Sequence, residues 1–349
     1  MASHHSFGRR NHLRKILDRL IKWDLSPAQS RVWPLLTENS MRTFDNDALE
    51  CLAAIVEEGG FERAAVRLSV TQSAVSQRLR ALEAQVGTVL LVRSRPVKPT
   101  SAGRLLIKHA MQMRLLRADL ETDLQDLTPG AGAMREEDRI SIAINADSIA
   151  TWALPALGPL VSEGLPLEII TDDQDFTHEW LREGQVLGCV TTLKQALRGC
   201  KVLPLGAMQY VAVVSAAYAA SHCPQGLTPH NFRQIPFIAF NRKDDLQTDF
   251  VSRACGLRRV TLSQRFVPSS EGQVRAVLAG WGACVVPQIQ VENLLNNGEL
   301  VNLSPATTLP VNLYWHCWNL DSVVIDRLTA ALSNAARTAL KTTRSLNSP

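Results

Sequence analysis

Side chains able to read the edges of nucleic-acid bases cluster between Thr71 and Glu83. Gln72, Ser73, Ser76, Gln77 and Arg80 fall on one side of a helical spacing whose other side, Val75, Leu79 and Leu82, is apolar. Base edges lie at the floor of a groove, where short or forked hydrogen-bonding side chains near the start of a helix can reach them. The charge pattern points the same way. From Arg63 to Arg104 there are eight basic residues and one acid, Glu83, whereas Phe44 to Glu62 holds six acids and no base. A basic block that compact suits a polyanion.

A second polar group lies further along, in the stretches Asn145–Ser148, Asp172–Asp175, Thr191-Thr192, Asn241–Asp245 and Ser269–Glu271. Most of them follow an apolar run that reads as a strand. Ligands of open α/β sheets bind beyond the carboxyl ends of strands, so these are candidate ligand loops. Enzyme chemistry finds no support. The chain has no Gly-x-Ser-x-Gly elbow, no phosphate-binding loop and no His-Glu-x-x-His. Cys189 and Cys284 sit in apolar strands and read as buried thiols. Asp172, Asp173 and Asp175 lack the spacing of a calcium loop, and no metal or cofactor is expected.

The elements that must position these residues are legible from Asp45 onward. Leu49, Leu52, Ile55 and Val56 line one face of a first helix that ends at Gly59-Gly60. A second helix spans Phe61–Leu68, with Ala64 and Ala65 small enough for a close crossing. Ser69-Val70 turns, Thr71 caps the third helix and Gly87 closes it. This is a helix-turn-helix. Val89–Thr100 reads as a wing, and Thr100 or Ser101 starts a long helix to Leu127. Its apolar seam, Leu105, Leu106, Met113, Leu116, Leu120 and Leu124, is a candidate dimer contact.

Thr128–Ala133 is a breaker cluster. Beyond it strands are expected at 140–144, 167–171, 186–192, 210–215, 236–240, 260–267, 282–287 and 311–318. Helices are expected at 147–157, 176–183, 246–255, 270–280, 288–297 and 322–343. That alternation predicts mostly parallel sheets, arranged as two lobes with a cleft.

At 349 residues the chain is too long for one ordinary core. Lysine and arginine total 37 against 33 acids, a net charge of +4, so the polyanion argument rests on the local block and not on the average. The longest stretch without a formal charge, Val202–Ser221, contains Pro204, Gly206, Gln209 and Ser215 and is no bilayer span. Residues 1–40 carry no apolar segment followed by a cleavage site and read as an extension or a misplaced start. Seven scattered cysteines without a Cys-x-x-Cys fit reduced thiols, so a cytoplasmic location is expected.

The stretch Phe61–Glu83, with Arg95-Pro96-Val97-Lys98-Pro99-Thr100, closely resembles the winged helix-turn-helix of LysR-type transcriptional regulators. Asn145-Ala146-Asp147-Ser148-Ile149-Ala150-Thr151-Trp152, with Ser269-Ser270-Glu271 and Leu313-Tyr314-Trp315-His316, resembles the arginine/lysine-responsive ArgP/LysG branch, which has also been described as a chromosome-replication initiation inhibitor. The resemblance covers roughly 44–337.

It implies an α+β multidomain chain. A winged helix-turn-helix (44–100) and linker helix (101–128) precede two α/β lobes of the type 2 periplasmic-binding-protein-like fold (139–204 with 308–345, and 205–307). It implies that Gln72, Ser76 and Gln77 approach bases, that Arg78 and Arg80 reach phosphates, that Arg95 enters the minor groove, and that Arg93 and Lys98 touch backbone. Family members often carry arginine where Gln77 stands. The implied partners are double-stranded promoter DNA, a second copy in a homodimer or homotetramer, and L-lysine or L-arginine as effector.

Such a ligand needs donors for its carboxylate and carboxylates for its cations. Ser148 and Thr151, or Ser269 and Ser270, could supply the first. Asp147, Asp173 and Asp245 could supply the second, with Asp172, Asp175, Asp244 and Glu271 in reserve. Trp152 could wall the cleft, and Asn145 and Thr192 complete the loops. The alternative is an architectural or replication-origin DNA-binding protein without an effector.

Overall fold

The computed structural model describes residues 43–92, 94–127, 139–172 and 177–341. Arg93, Asp173, Asp175, the extension at 1–40 and the breaker cluster lie outside the described residues. All elements below belong to one compact unit, Asn46–Pro349.

Three helices open it, α1 (Asn46–Glu57), α2 (Phe61–Arg67) and α3 (Gln72–Val86). Leu49, Leu52, Ile55, Ala64, Val75, Leu79 and Leu82 are buried between them, as the helical spacing requires. Thr71 caps α3 by accepting from the Ala74 amide at 3.2 Å, and Gly87 ends it in the left-handed region at φ 84°. The wing is a two-stranded antiparallel ribbon, β1 (Leu91–Val92) with β2 (Lys98–Pro99).

Thr100, not Ser101, begins the linker helix α4 (Ser101–Leu127). Its hydroxyl accepts from the Gly103 amide at 3.1 Å while donating to the Val89 carbonyl at 2.9 Å. A Cβ on Gly103 would sit 2.2 Å from the Leu90 carbonyl oxygen, so glycine lets the helix lie against the wing.

One face of α4 packs on α1 through Ile107, Ala110 and Leu115. Arg114 binds Glu50 at 2.6 Å and Glu57 at 2.8 Å in that contact. The opposite stripe, Leu105, Met113, Leu116, Leu120 and Leu124, is left at least 41% exposed, while Leu106 is half-buried.

The rest forms one mixed sheet in the order β4-β3-β5-β11-β6-β9-β7-β8, with β10 on β6. Here β3 is Ile140–Asn145, β4 Leu167–Asp172, β5 Gly188–Thr191, β6 Cys200–Ser215, β7 Phe237–Ala239, β8 Gln264–Phe266, β9 Ala283–Pro287, β10 Leu300–Asn302 and β11 Leu309–Trp318. The expectation of mostly parallel sheets needs correction. Pairs inside each lobe are parallel (β3 with β4 and β5, β7 with β8 and β9), but β6 and β11 pair antiparallel with each other and with both flanking strands. The chain passes between lobes twice, in opposite directions, which sets those two strands antiparallel. The junction placed at 204/205 therefore falls inside β6.

The helix expected at 147–157 contains a π-helical turn, Ile149–Ala153, between Ala146–Ser148 and α5 (Leu154–Ser162). Among the described residues no helix is long and apolar enough to cross a membrane.

Candidate nucleic-acid interface and ligand cleft

Gln72, Ser73, Gln77 and Arg80 stand exposed along α3, and Ser76 is half-buried beside them. The Ser73 and Thr71 hydroxyls lie 2.9 Å apart, which ties Ser73 to the helix start. Arg78, expected at a phosphate, is paired within the head. Its Nη2 lies 3.2 Å from Asp47 Oδ2 and its Nη1 reaches Cys51 Sγ, so the guanidinium turns back onto α1.

In the wing Arg95 and Lys98 are exposed. Ser94 donates to the Pro96 carbonyl at 2.6 Å, and Arg104 donates to the Pro99 carbonyl at 3.2 Å. These bonds hold the ribbon that presents Arg95. Arg95→Ala is expected to weaken DNA binding and to lower the slope of log affinity against log salt by about one. An unchanged slope in a salt titration removes Arg95 from the interface.

The ligand loops meet only in part. Asn145, Ala146, Asp147, Phe240, Asp244, Leu246, Gln247, Gln273 and Val285 line a cavity of about 30 Å³. Asp147 ends up there because it follows β3 directly. Asp244 arrives because the turn after β7 closes on it, with its two oxygens accepting from the amides of Phe240 at 2.8 Å and Leu246 at 2.9 Å. The two carboxylates come from opposite lobes, and among the described residues no lysine, arginine or histidine lines the cavity.

Burial pushes the Asp147 carboxyl above its usual range, hydrogen bonds from Ser270 and Tyr210 pull it back, and Asp244 raises it further. Asp244 is raised by burial and by Asp245, against the two amides that favour its ionised form.

Asp245 itself is exposed, since the next residue along the turn points outward, and Glu271 is exposed as well. Ser269 spends its hydroxyl capping the helix Ser270–Leu278 through the Gly272 amide at 3.1 Å, while Ser270 is buried. Thr151 donates back to the Asp147 carbonyl at 2.6 Å within its own turn. Trp152 is buried and lies off the cavity. The π-helical turn that carries it packs on the helix Val323–Ala339.

Thr192 is half-buried just beyond β5 and is not among the lining residues. Asn145 Oδ1 and Ser148 Oγ are buried without a hydrogen-bond partner. Such atoms are costly unless a ligand or water completes them.

Sequence reasoning passed over Tyr210, Gln247 and Gln273. The signal was available for the glutamines. Gln247 shares a stripe with Phe250 and Val251, and Gln273 with Val277, so each is a polar residue in a core position. A wider groove of about 1100 Å³ lies between the wing and lobe I, lined by Lys98, Arg104, Glu168, Glu179 and Glu183 among others. Its charges are mixed, and of the ligand loops it takes in only Asn241, Arg242 and Lys243 from the turn after β7.

Comparison with known proteins agrees with this layout. Residues 46–104 match the model of the bacterial regulatory helix-turn-helix protein, lysR family, and 134–337 match the LysR substrate binding domain. The regulator ArgP of Aeromonas salmonicida is 39% identical over 302 residues, which is 86% of this chain and 99% of that one. LysG of Mycobacterium tuberculosis is 40% identical over 84% of this chain and 93% of its own length.

The crystal structure of ArgP from M. tuberculosis superposes with a TM-score of 0.71 at 38% identity, covering 86% of this chain and all of that one. Full-length LysG from Corynebacterium glutamicum with bound effector Arg gives 0.64 at 34% identity, covering 85% and 99%. With both matched regions spanning most of its length, the chain belongs to the LysR family of DNA-binding transcriptional regulators, and is a regulator and not an enzyme.

Proposed function

We propose that this regulator senses a basic amino acid, L-lysine or L-arginine, in the cleft between its lobes, and controls genes of amino acid export or metabolism at promoter DNA. The observation that carries the reading is one cavity lined by a carboxylate from each lobe and, among the described residues, by no cation. A cationic ligand is what that charge pattern favours. Support comes from the C. glutamicum LysG structure, whose ligand is arginine.

A volume of about 30 Å³ holds roughly one water, so an amino acid enters only if the lobes separate. Ligand binding thereby selects a different lobe arrangement, and the linker helix transmits it. The exposed stripe from Leu105 to Leu124 supports pairing of two copies through that helix, in a homodimer or a homotetramer built from it.

Calorimetry of the full-length protein with L-lysine, L-arginine and L-leucine tests the reading. Binding of a basic amino acid and not of leucine is the expected result. If the folded protein takes up neither, the sensor reading falls, and a DNA-binding protein without an effector replaces it.

A further inference from the structure

Asp147 is engaged from two directions in the cleft. Tyr210 of β6 donates its hydroxyl to Asp147 Oδ2 at 2.7 Å, and Ser270 of lobe II is hydrogen-bonded to the same carboxyl. Ser270 Oγ also faces Gln290 Oε1 at 3.2 Å.

A serine hydroxyl has one proton to give. With Asp147 ionised, Ser270 gives that proton to the carboxylate and Gln290 can turn its amide nitrogen toward Ser270, so the bonds are satisfied in that state. With Asp147 protonated the chain closes as well. Asp147 donates to Ser270, Ser270 donates to Gln290, and Tyr210 donates to the remaining carboxyl oxygen.

Among the described residues, no cation lines the cavity to replace that proton. Asp244 faces it from the turn after β7 with Asp245 behind, Tyr210 comes from β6, and the Cys284 thiol approaches from β9. The charge is disfavoured by the cavity itself, where Asp147 lies buried with a second carboxylate, Asp244, against the pull of the Ser270 and Tyr210 hydrogen bonds.

We propose that Asp147 carries a proton in the ligand-free protein and releases it when the cationic group of the amino acid enters, so that the proton competes with the ligand for the latch between the lobes. This rests on the basic amino acid reading above. The balance is simple. A carboxylic acid and an ammonium or guanidinium ion give a carboxylate paired with that ion, and one proton leaves to solvent.

The test is calorimetry of the full-length protein with lysine and arginine in phosphate and in Tris, repeated from about pH 5 to about pH 8. Up to one proton released per ligand is expected, seen as a heat that depends on the buffer. Affinity should rise by up to about tenfold per pH unit and then level off. Asp147→Asn should give buffer-independent heats.

Tight binding with equal heats in both buffers at every pH overturns the proton exchange and leaves the basic amino acid reading standing. Failure of both amino acids to bind at any pH overturns both. Persistent proton release from the Asp147→Asn variant assigns the proton elsewhere and also overturns the proposal.

Thermal unfolding supplies a readout that needs no ligand. A carboxyl raised in the folded state stabilises least once it ionises, so the parent should lose stability relative to Asp147→Asn as pH rises past the ordinary carboxylate value. A constant difference across that range counts against a proton on Asp147.

Discussion

Arg114→Ala is expected to loosen the contact between the DNA-binding head and the linker helix by about 3–5 kcal/mol, because removing one partner of a buried ion group strands the others. Arg114 is buried between Glu50 and Glu57. Burial alone would push its pKa down, yet the two carboxylates reverse that and hold it above the usual arginine value. Arg67 also pairs with Glu57 and would partly hold it in the variant, so Glu50 becomes the stranded charge. One of its oxygens is already buried without a partner.

The same cluster sets a pH dependence. Burial raises the Glu57 carboxyl, but Arg114 and Arg67 outweigh it, and the net value lies below the ordinary 4.5. A lowered folded value means stability that is present above 4.5 and lost as pH falls through the lowered value. The gap between parent and variant should therefore narrow in acid. Hydrogen exchange of the amides in Asn46–Glu57 reads both effects locally. A loss under about 1 kcal/mol at neutral pH shows that the arginine only decorates a contact held by Ile107, Ala110 and Leu115.

Residues such as Arg114 show where sequence reading stops. The helix-turn-helix was legible because each helix repeats its apolar residues at helical spacing and ends on a glycine or a cap. The outward faces of α3 followed from the same spacing. Arg78 did not, since its partner Asp47 lies on another helix and only packing brings the two together.

Strand β6 was visible only at its apolar end. Its first half carries Lys201, Pro204 and Gly206, and Pro and Gly read as breakers. They are tolerated because the register against β11 slips there. Gly206 pairs with Leu313 and Pro204 with Tyr314, which leaves Leu205 as the extra residue of a bulge. The π-helical turn at Ile149–Ala153 inserts a residue that a fixed period of 3.6 cannot signal. Ligand loops were located by strand ends, yet which of their polar residues turn inward is a matter of local backbone direction.

Asp244 and Asp245 put that last point to measurement. Asp244→Asn is expected to weaken lysine or arginine binding by about thirtyfold or more, since unbalancing a buried charge pair costs about 2–5 kcal/mol. Asp245→Asn, at an exposed position, should change affinity by less than about twofold. The two side chains carry the same charge one residue apart, so long-range electrostatics treats them nearly alike, and only the cavity tells them apart. Asparagine keeps one acceptor oxygen for the amides of Phe240 and Leu246, and the thermal midpoint of each variant checks that the turn survives. Equal losses at both positions point to a diffuse negative field in place of a defined contact. No loss at Asp244 takes this cavity out of ligand recognition and leaves its carboxylate as the device that closes the turn after β7.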